Sequence, residues 1–339
     1  MNNEIIYCPI CGNELPKHKD YCDKCKANEY QSMGEVLDKQ GLHDMAIELQ
    51  SKAIEHNPKF FHAYIDRGIA QHNKSQYDLA IKDYTKAIEL DPQSDIGYYN
   101  RGNAYYSKSQ YDLAIKDYTK AIELKPKAAT YNNRGMAYHE KGIYDLAIKD
   151  YTKAIEICPI DPKVYNNRGN AYFKKGVSDK AIKDYNKAIS LNDQYSTAYF
   201  NRALVYEEQG LYELAIIEYN TVIKLGNEYP YLYNKRGIAY EKNGQYDLAI
   251  KDYTKAIELK PEDIASLFNR GHCYSLKSSY DKAIEDYTKA INLNQNIIEL
   301  YYYRGLAFQN KGDSIKANND YITARKLGYK FPEGFKSPR

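Results

Sequence analysis

An arginine recurs at Arg67, Arg101, Arg134, Arg168, Arg202, Arg236, Arg270 and Arg304, every 34 residues with one step of 33. A fixed period of this length marks one supersecondary unit used repeatedly. Each copy is too small to bury its own apolar face and must roof the copy before it. The short step falls between Pro126 and Tyr131, in an expected connection between helices, where a lost residue is tolerated. A degenerate copy precedes these, with Met33 in the arginine's place, followed by Gly34, Ala46, Ala53 and Pro58. About nine copies thus tile residues 27–331 and leave residues 332–339 as a tail.

Each copy reads as two helices split by a turn such as EKGIY or EKNGQY. In the second helix, YDLAIKDYTKAIEL from Tyr111, residues Leu113, Ala114, Ile115, Tyr118, Ala121, Ile122 and Leu124 follow helical spacing, and Pro126 ends the run. A small residue recurs at Ala80, Ala114, Ala147, Ala181, Ala215, Ala249, Ala283 and Ala317, with a tyrosine four residues after each. Small residues allow a neighbouring helix to approach closely, and the tyrosines fill the space beside them. An acid precedes each of these tyrosines. Antiparallel packing about the turn predicts partly buried ion pairs that fix helix register: Arg101 with Asp117, Arg134 with Asp150, Arg168 with Asp184 and Arg236 with Asp252.

These residues carry a family resemblance. Gly102, Tyr105, Ala114, Tyr118, Ala121 and Pro126 fall at the small, aromatic and proline signature positions of the tetratricopeptide repeat, and most other copies repeat them. The resemblance spans about nine-tenths of the chain. It implies an all-α, right-handed superhelical solenoid whose first helices line a concave groove. Asp193, Asn227, Gln295 and Tyr329 depart from the usual proline, and arginine stands where the family commonly has an aliphatic residue.

Segments such as YNNRGMAY from Tyr131 should weaken a first helix, since asparagine and glycine are poor helix formers. On the implied geometry the residue before each arginine points into the groove: Asn100, Asn133, Asn167, Asn201 and Asn269. An amide offers a donor and an acceptor in one plane and can match the main chain of an extended peptide. The pattern is similar to the asparagine ladder of long tetratricopeptide superhelices. The expected contact face adds Tyr99, Asn103 and Tyr106, then Asn132 and His139, then Asn166, Asn170 and Phe173, then Phe200, Asn234, Phe268 and Tyr302. A solvated polar face is the competing explanation, although glutamate or lysine would solvate a helix at lower cost. An RNA-binding solenoid is the alternative function, with the cysteine-rich module as an accessory. Groove cations are scarce for it, because Lys163, Lys174 and Lys242 are offset by Glu140, Glu207, Glu208 and Glu241. A clamp for a terminal carboxylate needs several groove cations, and only Lys235 stands at a comparable place.

Residues 1–26 hold CPICGNELPKHKDYCDKC, two C-x2-C knuckles separated by ten residues. The spacing points to a tetrahedral Zn2+ shell of Cys8, Cys11, Cys22 and Cys25, with Gly12 closing a left-handed turn. So short a segment needs a staple to fold, so the metal is expected to be structural. The segment resembles the zinc ribbons that open many bacterial proteins, which implies a metal-stapled β-hairpin. Its slight acidity disfavours phosphate binding.

A net charge of +3 on 339 residues argues against wholesale attraction to nucleic acid or membrane. No apolar run spans a bilayer, and the start lacks the pattern of a signal peptide, so a cytoplasmic location is expected. The remaining cysteines, Cys158 and Cys273, and the scattered histidines suggest no catalytic pairing, and the chain is expected not to be an enzyme.

Overall fold

The computed structural model describes residues 6–15 and 21–331. Eighteen α-helices and one antiparallel hairpin form the regular structure among these residues, divided between two compact units, Met1–Val177 and Ser178–Arg339. In the first unit β1 (Ile6–Tyr7) pairs with β2 (Glu14–Leu15), placing Tyr7 opposite Glu14. Then follow α1 (Asp23–Lys39), α2 (His43–His56), α3 (Phe61–Asn73), α4 (Tyr77–Leu90), α5 (Asp95–Ser107), α6 (Tyr111–Leu124), α7 (Ala128–Glu140), α8 (Tyr144–Ile157) and α9 (Pro162–Lys174). The second unit holds α10 (Ser178–Leu191), α11 (Ser196–Glu208), α12 (Tyr212–Lys224), α13 (Pro230–Lys242), α14 (Tyr246–Leu259), α15 (Ile264–Leu276), α16 (Tyr280–Leu293), α17 (Ile298–Lys311) and α18 (Ser314–Lys326). Odd-numbered helices are the first of each copy and even-numbered helices the second. The tail from residue 332 lies outside the described residues.

Within each unit every helix packs on its sequence neighbours, and in the first unit α1, α3, α5, α7 and α9 also touch in succession. The 33-residue step shortens a connection, from residues 91–94 between α4 and α5 to residues 125–127 between α6 and α7. The core repeats with the sequence. Ala114 is fully buried and Tyr118 is 1% exposed. A Cβ on Gly102 would lie 2.7 Å from the ring of Tyr118, so the glycine makes the seat on which the tyrosine packs. Gly135 with Tyr151 and Gly237 with Tyr253 repeat this fit.

The turn inside a copy requires one left-handed residue. Gly142, Gly210 and Gly244 supply it with φ of 73–74°, but Ser75, Ser109 and Ser278 hold the same conformation at 57–59°. A side chain there costs about 1–2 kcal/mol. Exposed ion pairs tie such turns to the preceding copy, as Lys108 does to Asp78 and Lys141 to Asp112, and they contribute little stability.

Both ends of the array carry further packing. A division after residue 26 falls inside α1, because Cys22 caps that helix and Cys25 lies in its first turn. The cysteine segment and the first repeat therefore share one helix. At the other end, Tyr329 stacks on Tyr302 at 4.5 Å and Phe331 packs edge-on against Tyr302 and Tyr321. Tyr302 is thus partly covered by the chain's own segment.

Candidate functional site

The arginines bridge three helices. Arg134 donates through Nε and Nη2 to both carboxylate oxygens of Asp150, at 2.7 and 2.8 Å, a two-pronged fit that lysine could not make. Arg101 with Asp117 and Arg236 with Asp252 have the same geometry. The remaining nitrogen reaches back one copy: Nη1 of Arg101 donates to Thr85, that of Arg134 to Thr119 and that of Arg168 to Thr152, at 3.0–3.1 Å. Arg236 uses Asn220 in the same way. Sequence reading missed this backward contact, although a hydroxyl or amide follows the core tyrosine in the second helices concerned. Asp184 is buried in α10. Its hydrogen bonds to Asp117 hold the Arg101 guanidinium above its usual range. In the Arg236 pair both partners shift upward, because burial raises the Asp252 carboxyl by more than its arginine lowers it. The pair fixes register, and its net contribution is the small difference between attraction and desolvation.

The asparagines of the first unit bond to one another. Asn133 Nδ2 donates to Asn103 Oδ1 at 3.0 Å and to the Tyr99 hydroxyl at 3.2 Å. Asn167 Nδ2 donates to Asn132 Oδ1 at 3.1 Å, and Asn132 Nδ2 lies 3.3 Å from Asn133 Oδ1. The Tyr118 hydroxyl also donates to Asn103, at 2.8 Å. A line of neutral amides therefore crosses from α5 to α7 to α9. Asn100 turns back to the carbonyl of Ile96 in its own helix. Tyr106 is half-buried, and burial pushes its hydroxyl up to about 12. Asn170 and Phe173 are half-buried on α9.

Two expected contact residues are corrected. Asn166 is 3% exposed and Asn234 is 6% exposed. Asn234 donates to Ser266 Oγ at 2.8 Å, so it joins α13 to α15. The physical reason is position: two residues before the arginine, the side chain of Asn234 enters the seam between successive first helices.

In the second unit Asn201 and Asn269 are half-buried, and Phe200 packs against Tyr219, Tyr229 and Tyr231. Charge replaces the amides at the neighbouring places. Glu207 accepts from the Tyr219 hydroxyl at 2.8 Å and from Lys235 at 3.1 Å. Glu241 accepts from the Tyr253 hydroxyl at 2.8 Å and lies 3.0 Å from His272 Nδ1. Burial pushes the Glu241 carboxyl up, but the hydrogen bonds from His272 and Tyr253 outweigh it and hold it below its usual range. Sequence reading took these glutamates only as charge offsets and His272 as a scattered residue. The repeated tyrosine-to-glutamate spacing of 12 residues was the available signal.

At the N-terminal end the sulfur atoms of Cys8, Cys11, Cys22 and Cys25 lie within 4.8 Å of one another. Cys8 to Cys25 is 3.8 Å and Cys11 to Cys22 is 3.4 Å. A tetrahedral thiolate shell with metal–sulfur bonds of about 2.3 Å spaces its sulfurs by about 3.8 Å, so the four residues fit a metal ion. Gly12, at φ 72°, lets its N–H reach the carbonyl of Cys8, and the backbone N–H of Cys25 points at Cys22 Sγ. Both contacts hold the knuckles in shape. A hydrogen bond from the Cys22 backbone lowers the Cys8 thiol to about 6, whereas the Cys22 side chain raises that of Cys25, so without a cation the first proton to leave the cluster is that of Cys8.

Stacked two-helix copies, six of them with a glycine seat for the core tyrosine among the described contacts, define a helical repeat array. Family models described as TPR repeat match residues 72–109, 135–176 and 208–244, and those described as tetratricopeptide repeat match residues 96–127, 162–195, 230–263 and 264–297. Together they cover more than half of the chain, which belongs to the tetratricopeptide repeat proteins. Solved structures of similar fold include the C-terminal part of a TPR repeat-containing protein from Cytophaga hutchinsonii (22% identity, 69% of this chain and 97% of that one, TM-score 0.60). Others are a tetratricopeptide repeat protein from Parabacteroides merdae (20% identity, 73% and 98%, TM-score 0.55) and PilF of Pseudomonas aeruginosa (20% identity, 61% and 94%, TM-score 0.54). At these identities the likeness is one of fold alone. No curated protein matches the chain. Among the described residues no helix is long and apolar enough to cross a membrane. The family's arrays are protein-interaction scaffolds, and this chain has that role.

Proposed function

We propose that the chain is a non-enzymatic scaffold that holds an extended peptide segment of a partner protein along its first helices, capturing the peptide main chain with asparagine amides. The observation that supports this is the amide line: Asn133 and Asn167 each donate to an asparagine of the preceding first helix, at 3.0 and 3.1 Å. Neutral donors and acceptors follow one another along the face, and a peptide main chain can exchange into such a line without leaving a charge behind. Asn100 stands one helical turn from this line on α5, bonded to its own helix, and Asn201 and Asn269 hold the corresponding places in the second unit. The amides release intramolecular or water partners on binding, so each contact contributes about 0.5–1.5 kcal/mol net. Replacing Asn100, Asn133 and Asn167 together by alanine should weaken peptide binding between about tenfold and a thousandfold, with helical content intact. Unchanged affinity in the triple variant overturns the reading. Affinity for RNA that falls steeply with salt would favour the rival function instead.

We infer further that the four cysteines hold a structural zinc ion. Four thiolates and no open position suit that ion, whose binding would supply folding energy to a hairpin with little core of its own. Protein purified without added metal should contain about one zinc per chain. Copper or iron in its place, or paired disulfides, overturns the assignment.

A further inference from the structure

Between α3, α5 and α7 lies a cavity of about 220 Å³, lined by His72, Asn103, Tyr106, Ser107, Tyr118, Asn133 and Met136. No carboxylate or ammonium group lines it. Burial lowers the His72 imidazole and raises the Tyr106 hydroxyl, so both rings are neutral at pH 7. A charged guest would lose its water here and gain no counter-charge. A cavity of about 150 Å³ lined by apolar side chains admits benzene, so this one has room for a six-membered ring. Its polar wall adds direction. Asn103 Oδ1 already accepts from Tyr118 and Asn133, while among the described residues Asn103 Nδ2 has no acceptor. The amide nitrogen therefore has N–H to donate to an oxygen on the guest.

Elsewhere the chain packs aromatic rings of its own against a first-helix and a second-helix tyrosine. In the last copy, Tyr302 on the first helix and Tyr321 on the second receive Tyr329 and Phe331 from the following segment. Tyr99 and Tyr118 occupy the same repeat positions, with ring centres 6.2 Å apart, and of the two Tyr118 lines the cavity.

Resting on the peptide reading above, we propose that this cavity seats a tyrosine side chain of the bound segment. Its phenol oxygen accepts from Asn103, and its ring lies between Tyr106 and Met136. The partner is then an extended segment with a neutral aromatic anchor, and acidic or basic motifs are poor ligands.

The test is a titration of the full chain, labelled at its methionine methyl groups, with Ac-Gly-Gly-Tyr-Gly-Gly-NH2 and with the same peptide carrying alanine or lysine at the centre. The chain has four methionines, so Met136→Leu assigns the Met136 signal. The tyrosine peptide should bind at least about tenfold more tightly than the other two and move the Met136 methyl upfield through the ring current. Met136→Trp should fill the cavity and bring the tyrosine peptide down to the affinity of the alanine one. Asn103→Leu keeps the space and removes the donor, so it should cost the tyrosine peptide more than a phenylalanine peptide. Equal binding of the tyrosine and alanine peptides, or binding with the Met136 methyl unmoved, overturns the ring seat and leaves main-chain capture standing. Tighter binding of the lysine peptide also overturns it. No binding by any of the peptides brings down both readings.

Discussion

Arg134 Nη1 donates to Thr119 Oγ1 at 3.0 Å, and Thr119 belongs to the copy before. The same guanidinium is held by Asp150 within its own copy. One side chain therefore fixes both the packing within a repeat and the packing between repeats. Asp150 is 4% exposed, and removing it leaves a desolvated charge on Arg134. Asp150→Ala should cost on the order of 3 kcal/mol, and Arg134 and Asp150 changed together to leucine should cost less than the sum of the single changes. Thr119→Val should cost about 1 kcal/mol and show coupling to Arg134→Leu in a double-mutant cycle. Urea unfolding measures all of these, and strictly additive losses would mean that the contacts do not act together.

Ser109 holds a left-handed backbone at φ 57° where other copies have glycine. Relief of about 1–2 kcal/mol of strain exceeds the extra unfolded-state entropy of glycine, about 0.5–1 kcal/mol. Ser109→Gly should therefore stabilise the protein by up to about 1 kcal/mol. The converse change, Gly142→Ser, should destabilise it by a similar amount. Thermal unfolding of the two variants should shift in opposite directions.

Glu241 is held below the usual carboxyl range in the folded chain. A group with a depressed folded pKa contributes stability that is complete above its unfolded value, near 4.5, and is lost as pH falls through the folded value. Glu241→Gln should be less stable than the parent at neutral pH, and the gap should close as the solution is acidified below that range. A gap that stays constant with pH would show that the carboxylate charge is not what His272 and Tyr253 stabilise.

Chelation should act first on α1, since Cys25 lies in its first turn and Cys22 caps it. Removing a bound metal should raise amide exchange in residues 22–30 before it reaches α5 or α7, because a repeat array is stabilised by nearest neighbours. Hydrogen exchange with and without a chelator checks this, and uniform loss of protection along the chain would contradict it.

The repeat fold could be read because its chemistry is local and periodic. Ala114 and Tyr118 lie four residues apart on one helix, and Arg134 and Asp150 meet across a single turn, so spacing alone implies contact. Contacts between copies were less legible. Thr119 stands beside the core tyrosine and looks like a surface residue until α7 is laid against α6. Asn132 and Asn166 occupy the same place in YNNRG, yet one lines the amide chain and the other is buried. Identical motifs do not specify their surroundings. The same limit applies to Glu241 and His272, 31 residues apart, whose pairing depends on how one first helix lies on the next.

The backward reach of the arginine also sets rules for rearranging the array. Every inner copy brings a donor for its predecessor and, beside its core tyrosine, an acceptor for its successor, so a copy could be duplicated or deleted with each junction still served. Even the degenerate first copy keeps its half, since Ser51 accepts from Arg67 at 3.0 Å. The ends are marked differently. Met33 replaces the donor in the first copy, and Ile322 stands in place of the acceptor in the last, both exposed. Growth by insertion in the middle is thus chemically neutral, whereas adding a copy beyond α18 would leave its arginine facing a hydrocarbon. The two side chains work as punctuation, with the start and stop of the array written in residues that cannot join.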